Sequence, residues 1–355
     1  MPAAPARTVK QWMEETAGLA SGYYREFPFS LPPQPRQPKG LEVAHPAFGR
    51  CRFRRLPVPF AAAIEDGAFR GERGVIFAPD GTLLQDVSAA NEMRALGVWP
   101  RAERLSGTVA PLAFKFVNNY FHWMMDVLPR LLPLRLSGWP IDRYIISPQG
   151  PYPYVETLRL LGISEEKLLI AYSGSHWQAD RLVVVPNVSR KELYPRWSFD
   201  FLRGAFARSV PEGQPDGPSY VYISRAGALK RKIVNEEEVA SLLKRHGFHI
   251  AQLEGMPLTE QIGLFRSAHT IVAPHGAGLT NLLFSPQGVR LIELFSPNYV
   301  KPYYWVLSSY LDADYYCLIG ESSGLPDPER PPDRRDDIVV DVGKLTRLLH
   351  KAGIR

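Results

Sequence analysis

Beyond residue 120, apolar stretches of strand length take turns with amphipathic stretches of helix length, and this alternation limits the fold more than any other feature. The pattern predicts strands over 144–147, 168–171, 182–185, 220–223, 248–252, 270–273, 289–295 and 315–319. Helices are predicted between them, over 154–161, 198–208, 258–268, 278–284, 303–311 and 344–350. Asn235 with Glu238 three residues later has the form of a capping box opening a further helix. Strands alternating with helices build a mainly parallel sheet covered on both faces. In such α/β sheets, ligands bind beyond the carboxyl ends of the strands.

Length sets the number of domains. At about 150 residues per domain, 355 residues favour two. The segment Val210 to Pro218 carries three prolines and two glycines in nine residues and reads as the linker. The expected division is therefore 1–105 as an arm and the start of a first domain, 106–209 as its remainder, 210–218 as linker and 219–355 as a second domain. The expected fold is two doubly wound, Rossmann-like domains with a cleft between them. Proline is in excess, 33 residues, with clusters at Pro28 to Pro46 and Pro326 to Pro332 that read as arms or loops. No run of about 18 apolar residues exists, so no membrane span is expected.

The net charge of +6 suits nucleic acid, an anionic membrane face or a phosphorylated small molecule. Two cysteines, Cys51 and Cys317, make neither a disulfide framework nor a four-cysteine zinc site. A reducing, cytoplasmic compartment is expected.

Three motifs carry chemistry. In TIVAPHGAGLTN, Thr270 to Asn281, a buried strand runs through Gly276 and Gly278 into a helix start. Glycines let backbone approach an anion, and a helix N-terminus offers free N–H groups. The reading is a phosphate or diphosphate site with His275 at its lip; the alternative is a tight turn needing glycine for geometry alone. Asn281 stands where a dinucleotide fingerprint requires glycine, which disfavours nicotinamide cofactors. In YVYISRAGALKRKIVN, Ser224, Arg225, Lys230, Arg231 and Lys232 follow a strand end. They suit a phosphate-bearing ligand, or else form a solvated basic loop. In NNYFHWMMDVLPRL, His122 and Asp126 are four apart and share a face if one helix continues through them. A carboxylate beside histidine fixes its tautomer and raises its basicity, as a general base requires. Pro129 opposes that continuity, and Asp126 as a mere helix cap is the competing reading. Glu293, at the end of VRLIELF, is placed to accept ribose or sugar hydroxyls. Asp312 and Asp314 read as a polar loop rather than a metal site.

Together these motifs resemble the family 61 glycosyltransferases. The resemblance rests on Tyr120-Phe121-His122-Trp123 with Asp126 and Leu128-Pro129-Arg130, on Ile223-Ser224-Arg225 with Asn235-Glu236, on Pro274 to Asn281, and on Glu293. It implies a GT-B fold and inverting, metal-independent transfer from a nucleotide-sugar, a UDP-sugar first, to a glycan or lipid-linked acceptor. No cofactor and no metal are implied. Ser224, Arg225 and Arg231 become diphosphate ligands, joined in the donor site by His275, Gly276, Ala277, Gly278, Asn281 and Glu293. His122 becomes the base oriented by Asp126, with the reverse assignment still open. A cytoplasmic bacterial enzyme of capsule or envelope polysaccharide synthesis, peripheral to the inner membrane face, is the implied setting. Two other readings compete: a nucleotide-sugar epimerase of the same architecture, and a nucleic-acid-binding protein drawn from the charge alone.

Overall fold

A computed structural model describes residues 6–16, 23–29, 35–40, 45–49, 56, 58–89, 100–113, 115–148, 154–189, 192–209, 217–323 and 335–355. Cys51, most of the expected linker at Val210 to Pro218 and the proline cluster at Pro326 to Pro332 lie outside the described residues. Chain contacts divide into two units. One comprises Met1–Leu31, Leu56–Arg190 and Pro195–Ser209; the other comprises Pro32–Arg55, Lys191–Tyr194 and Val210–Arg355.

The first unit is built on a ten-stranded sheet. Its strands are β1 (Ala6–Arg7), β2 (Tyr24–Glu26), β3 (Phe60–Glu65), β4 (Ala68–Arg70), β5 (Val75–Phe77), β6 (Leu83–Leu84), β7 (Glu103–Pro111), β8 (Arg143–Ile146), β9 (Leu168–Ile170) and β10 (His176–Val184). The run β10-β7-β8-β9 is parallel, whereas β10 pairs antiparallel with β3 and β4, and β4-β5-β6 form an antiparallel meander. The expected doubly wound sheet therefore occupies only part of this unit. Strands β3 and β4 follow one another along β10 in a single register across 66–67; the connections at 71–74 and 78–82 are short, and a parallel crossover needs about a dozen residues or more. Hairpins are the only solution there. The core beneath gathers Ile64, Phe69, Val109, Ile145, Leu182 and Val184, all essentially inaccessible to solvent.

Residues 120–137 follow one right-handed helical path through four local geometries. An α turn at Tyr120–His122 passes into a π turn at Trp123–Val127, a 3-10 turn at Leu128–Arg130 and an α-helix at Leu131–Ser137. Pro129 explains the sequence of geometries. It has no N–H to donate one turn back, and the ladder bridges it with Leu128 N–H to Trp123 O and Leu131 N–H to Leu128 O and Pro129 O. Asn119 caps the start, its side chain accepting from Phe121 N at 2.9 Å. Trp123, Met124, Met125, Val127 and Leu128 are all buried, so this helix runs through the interior and packing compensates for the irregular ladder.

The second unit matches the predicted alternation closely. Strands β11 (Tyr220–Ser224), β12 (His249–Gln252), β13 (Thr270–Pro274), β14 (Arg290–Phe295) and β15 (Asp314–Ile319) form one sheet in the order β12-β11-β13-β14-β15. All its pairings are parallel. Helices Glu236–Arg245, Leu258–Ser267, Tyr303–Tyr310 and Val342–Lys351 supply crossovers and the C-terminal cover. β13 is buried along its whole length, which accounts for its uninterrupted apolar sequence. Strand order reverses between β11 and β13, so the carboxyl ends of these two neighbours form the topological switch point.

Two local expectations are corrected. Asn235 does not close a capping box: its amide oxygen accepts from Val340 N at 3.0 Å, and its Nδ2 donates to Val340 O at 2.8 Å and Glu238 Oε2 at 3.1 Å. A tertiary partner offering both a donor and an acceptor satisfies the amide more fully than its own helix would. The described residues of the first proline cluster beyond Leu31 are a packed part of the second unit. Lys39 bridges to Tyr316 at the edge of β15, Trp305 Nε1 donates to Arg36 O at 2.6 Å, and Phe48 is buried against Phe295, Trp305 and Tyr315. Proline suits such an edge because it exposes fewer donors.

Candidate functional site

The helical path through Pro129 decides the geometry of the first motif. His122 Nδ1 lies 2.7 Å from Asp126 Oδ2. The second carboxylate oxygen, Oδ1, accepts from the Ser189 hydroxyl. Asp126 is 2% exposed and His122 24%. Arg130 stands behind the pair: its Nε donates to Asp126 O at 3.0 Å and its Nη2 to Asn187 Oδ1 at 2.7 Å. Burial pulls the Arg130 guanidinium down to about 10, with Asp126 acting in the opposite direction, so it stays cationic at neutral pH. With Nδ1–H donating to Asp126, the imidazole presents Nε2 as an acceptor. Phe116 and Phe121 flank the ring, with centroids at 5.2 and 5.5 Å. Asp126 thus sits inside the π turn, and the capping alternative falls to Asn119.

At the switch point of the second unit, cations gather. Arg225 follows β11, and its Nη2 donates to Lys230 O at 3.0 Å. Arg231, at φ 55°, holds its guanidinium 4.7 Å above the Tyr299 ring. Burial lowers the Lys230 ammonium, and Arg231, Arg225 and Arg335 add to the effect by like-charge repulsion. Arg335 joins this group because residues beyond the second proline cluster dock on the basic loop, Arg231 N–H donating to Arg335 O at 3.2 Å. Nothing in the local sequence announced it. A set of mutually repelling cations is relieved by an anion, and each charge-assisted hydrogen bond contributes roughly 1.5–3 kcal/mol.

The turn after β13 differs from expectation in three respects. Gly276 has extended backbone, φ −178°, so its contribution is room: a Cβ there would run into Arg225 Nη1. The following helix, Ala277–Phe284, is 3-10 rather than α. His275 is buried rather than at a lip, its Nδ1 2.5 Å from Glu293 Oε1 and its ring stacked on Phe295 at 5.1 Å. Glu293 is fully enclosed, with Oε2 accepting from Tyr315 OH at 2.7 Å. Burial and the Glu293 charge hold the Tyr315 hydroxyl well above its ordinary value. A carboxylate with both oxygens so engaged positions His275 and does not face sugar hydroxyls.

Other predicted site residues are internal braces. Ser224 Oγ donates to Glu236 Oε1 at 2.5 Å and accepts from Ala226 N at 3.2 Å, while Tyr222 OH takes Glu236 Oε2 at 2.9 Å. Asn281 is buried and donates to Gln261 Oε1 at 2.7 Å. Gly278 leaves room for Leu253, whose Cδ1 would lie 2.7 Å from an added Cβ. Ala277 opens the 3-10 helix. Arg225, Arg231 and the Gly276 backbone remain together at the switch point. Asp312 and Asp314 face separate cations, Arg36 at 2.8 Å and Lys39 at 2.5 Å, and among the described residues no cluster of three potential metal ligands occurs.

The sequence model of the family Glycosyltransferase 61 matches residues 120–292, a span containing both the His122–Asp126 pair and the Gly276 turn. Similar proteins include the rice β-1,2-xylosyltransferase XAX1, 33% identical over 203 residues that cover 50% of this chain and 35% of the relative. The canine protein O-linked-mannose β-1,4-N-acetylglucosaminyltransferase 2 is 25% identical over 283 residues, 68% of this chain and 47% of the relative. The Drosophila melanogaster EGF domain-specific O-linked N-acetylglucosamine transferase is 34% identical over 86 residues, 22% of this chain and 16% of the relative. These relatives are named for transfer of xylose or N-acetylglucosamine, and this chain spans less than half the length of each. No helix among the described residues is long and apolar enough to cross a membrane.

Proposed function

We propose that this chain is a glycosyltransferase that moves a sugar from a nucleotide-sugar, a UDP-sugar first among them, to a hydroxyl of a glycan or lipid-linked acceptor with inversion. The observation that carries the proposal is the His122–Asp126 pair, a partly exposed imidazole whose Nδ1 is held by a buried carboxylate. In this reading Nε2 of His122 takes the proton of the acceptor hydroxyl as that oxygen attacks the anomeric carbon. The bond from that carbon to the nucleoside diphosphate breaks on the opposite side, which inverts the centre. Negative charge then grows on the departing diphosphate. Arg225 and Arg231, with Lys230 and Arg335 nearby, supply the neutralising field without requiring a metal.

The proposal includes a GT-B arrangement in which the second unit takes the donor and the first takes the acceptor. Its setting is a cytoplasmic route to capsule or envelope polysaccharide, peripheral to the inner membrane face. Supporting it are the switch-point position of the cations, the family 61 match and the glycosyltransferase relatives. A thermal-shift panel of UDP, GDP, CMP and their sugars in EDTA tests the donor. One nucleotide should stand out, because a specific ligand stabilises by RT ln(1 + [L]/Kd). Turnover of the selected nucleotide-sugar only with an acceptor present would support transfer. Conversion of the donor alone would point to epimerisation, and stabilisation by none would sink the proposal.

A further inference from the structure

The first unit has a switch point of its own. Its parallel run is ordered β10-β7-β8-β9, while the chain visits β7, β8, β9 and then β10. Strand order therefore reverses between β7 and β10, which pair in parallel with Leu182 opposite Val109 and end side by side at Pro111 and Val184. The helical path that carries His122 and Asp126 follows β7, and the segment that carries Asn187 and Ser189 follows β10. Two segments distant in the chain thus leave the sheet from neighbouring strand ends.

They are tied together twice. Ser189 Oγ donates to Asp126 Oδ1. Independently, the buried Arg130 guanidinium donates from Nη2 to Asn187 Oδ1 at 2.7 Å, from Nε to Asp126 O at 3.0 Å and from Nη1 to Ala113 O at 3.5 Å. One cation joins the exit of β7, the helical path and the exit of β10. The segment bearing Ser189 is therefore held at Asp126 by more than the serine hydroxyl.

What the hydroxyl adds follows from the chemistry of a carboxylate. The bond from Cβ to the carboxylate carbon has a broad, two-fold torsional profile, so the group turns unless both oxygens are held. Asp126 is 2% exposed, and a buried charged oxygen without a donor is costly. Ser189 holds Oδ1, which keeps Oδ2 directed at His122 Nδ1, 2.7 Å away. Both bonds are charge-assisted, and hydrogen bonds in series polarise one another.

We propose that Ser189 is a positioning residue for His122: its hydroxyl fixes the Asp126 carboxylate, and through it the tautomer and orientation of the imidazole. This role rests on the transferase reading, in which Nε2 of His122 receives the acceptor proton. A hydroxyl acting only through Asp126 then governs the chemical step and leaves nucleotide binding alone.

In the full chain, Ser189→Ala should lower kcat about 10–100-fold, the loss of one charge-assisted hydrogen bond, with KM for the nucleotide-sugar, nucleotide Kd and Tm unchanged. Ser189→Thr, which keeps the hydroxyl, should recover most of the loss. In an Asp126→Asn background, Ser189→Ala should cost less than about twofold more, because its target is gone. Nitrogen NMR of isotope-labelled histidine reads the positioning without turnover. The neutral His122 ring, assigned by its absence in His122→Ala, should be protonated on Nδ1 alone in the parent chain and should average between tautomers in Ser189→Ala. Full kcat in Ser189→Ala, an equal loss in the Asp126→Asn background, or a tautomer indifferent to Ser189→Ala would overturn the proposal. A Tm lowered alike by Ser189→Ala and Ser189→Thr would overturn it too, by assigning the serine to the fold. A tautomer change in a protein that transfers no sugar keeps the positioning and discards the transferase; transfer with an indifferent tautomer discards the positioning alone.

Discussion

His122–Asp126 in the first unit and His275–Glu293 in the second join the same functional groups through the same ring nitrogen, at 2.7 and 2.5 Å. Their surroundings separate them. The His122 side chain is 24% exposed and its carboxylate is shared with one serine, whereas His275 is 4% exposed, walled by aromatic rings, and its carboxylate is shared with a buried tyrosine. A base must meet an incoming hydroxyl, so access is part of its function. A sealed pair exchanges no proton with a substrate, but it can hold a backbone turn in place. His275 O, facing Arg231, and the neighbouring Gly276, facing Arg225, are what that turn positions. Exposure, rather than the geometry of the pair itself, separates the roles open to these two histidine–carboxylate pairs.

The exposed pair should give the largest effect on turnover. His122→Ala should lower kcat by about 10²–10⁴-fold, the usual contribution of a general base, while nucleotide affinity measured by calorimetry stays unchanged. Asp126→Asn should fall in the same direction, and the double variant should be no worse than His122→Ala alone, since groups acting as a unit are not additive. Full activity in His122→Ala would place the base elsewhere. At the switch point, Arg225→Ala should weaken nucleoside-diphosphate binding about 10–100-fold, which is the loss of one or more charge-assisted hydrogen bonds. Unchanged affinity would remove Arg225 from the donor site.

The sealed pair should respond in stability first. Glu293→Gln offers one acceptor and one donor to two groups that both donate, His275 Nδ1 and Tyr315 OH. Leaving a buried donor unsatisfied costs about 1–3 kcal/mol, read as a lowered Tm. Gly276→Ala is a finer probe of the same turn. The new methyl meets only the end of the Arg225 side chain, so the fold should survive while nucleotide binding weakens by about tenfold as the guanidinium is displaced. Addition of EDTA should have the smallest effect, leaving the rate of transfer unaltered. Strict dependence on an added divalent ion would transfer the charge-neutralising role from the arginines to a metal.

Much of the second unit was legible in the chain because its central strands are buried on both faces and its helices have one apolar side, so each element carries its own period. The Gly276 turn and the cations after β11 were readable for the same reason, as they sit where such elements end. Less could be read in the first unit. Strands β3 to β6 are short, and the pairing of β3 and β4 with β10, more than a hundred residues away in sequence, follows from no local pattern. The histidine–carboxylate pair of the first unit and the cation cluster of the second show the same division, each taken by itself. Their residue types and order were in the sequence, yet Ser189 and Asn187 reach the pair, and Arg335 the cations, only through contacts distant along the chain.

By itself, the sequence determined the strand–helix alternation, the family 61 motifs and the placing of basic and glycine residues at strand ends, all of which depend on neighbours within one element. Tertiary structure decided the rest. It carried the helix through Pro129 by a π turn so that His122 meets Asp126, and it enclosed His275 and Glu293 while leaving His122 open. Solvent access and charge compensation depend on which distant side chains arrive at a place, and only folding brings them there.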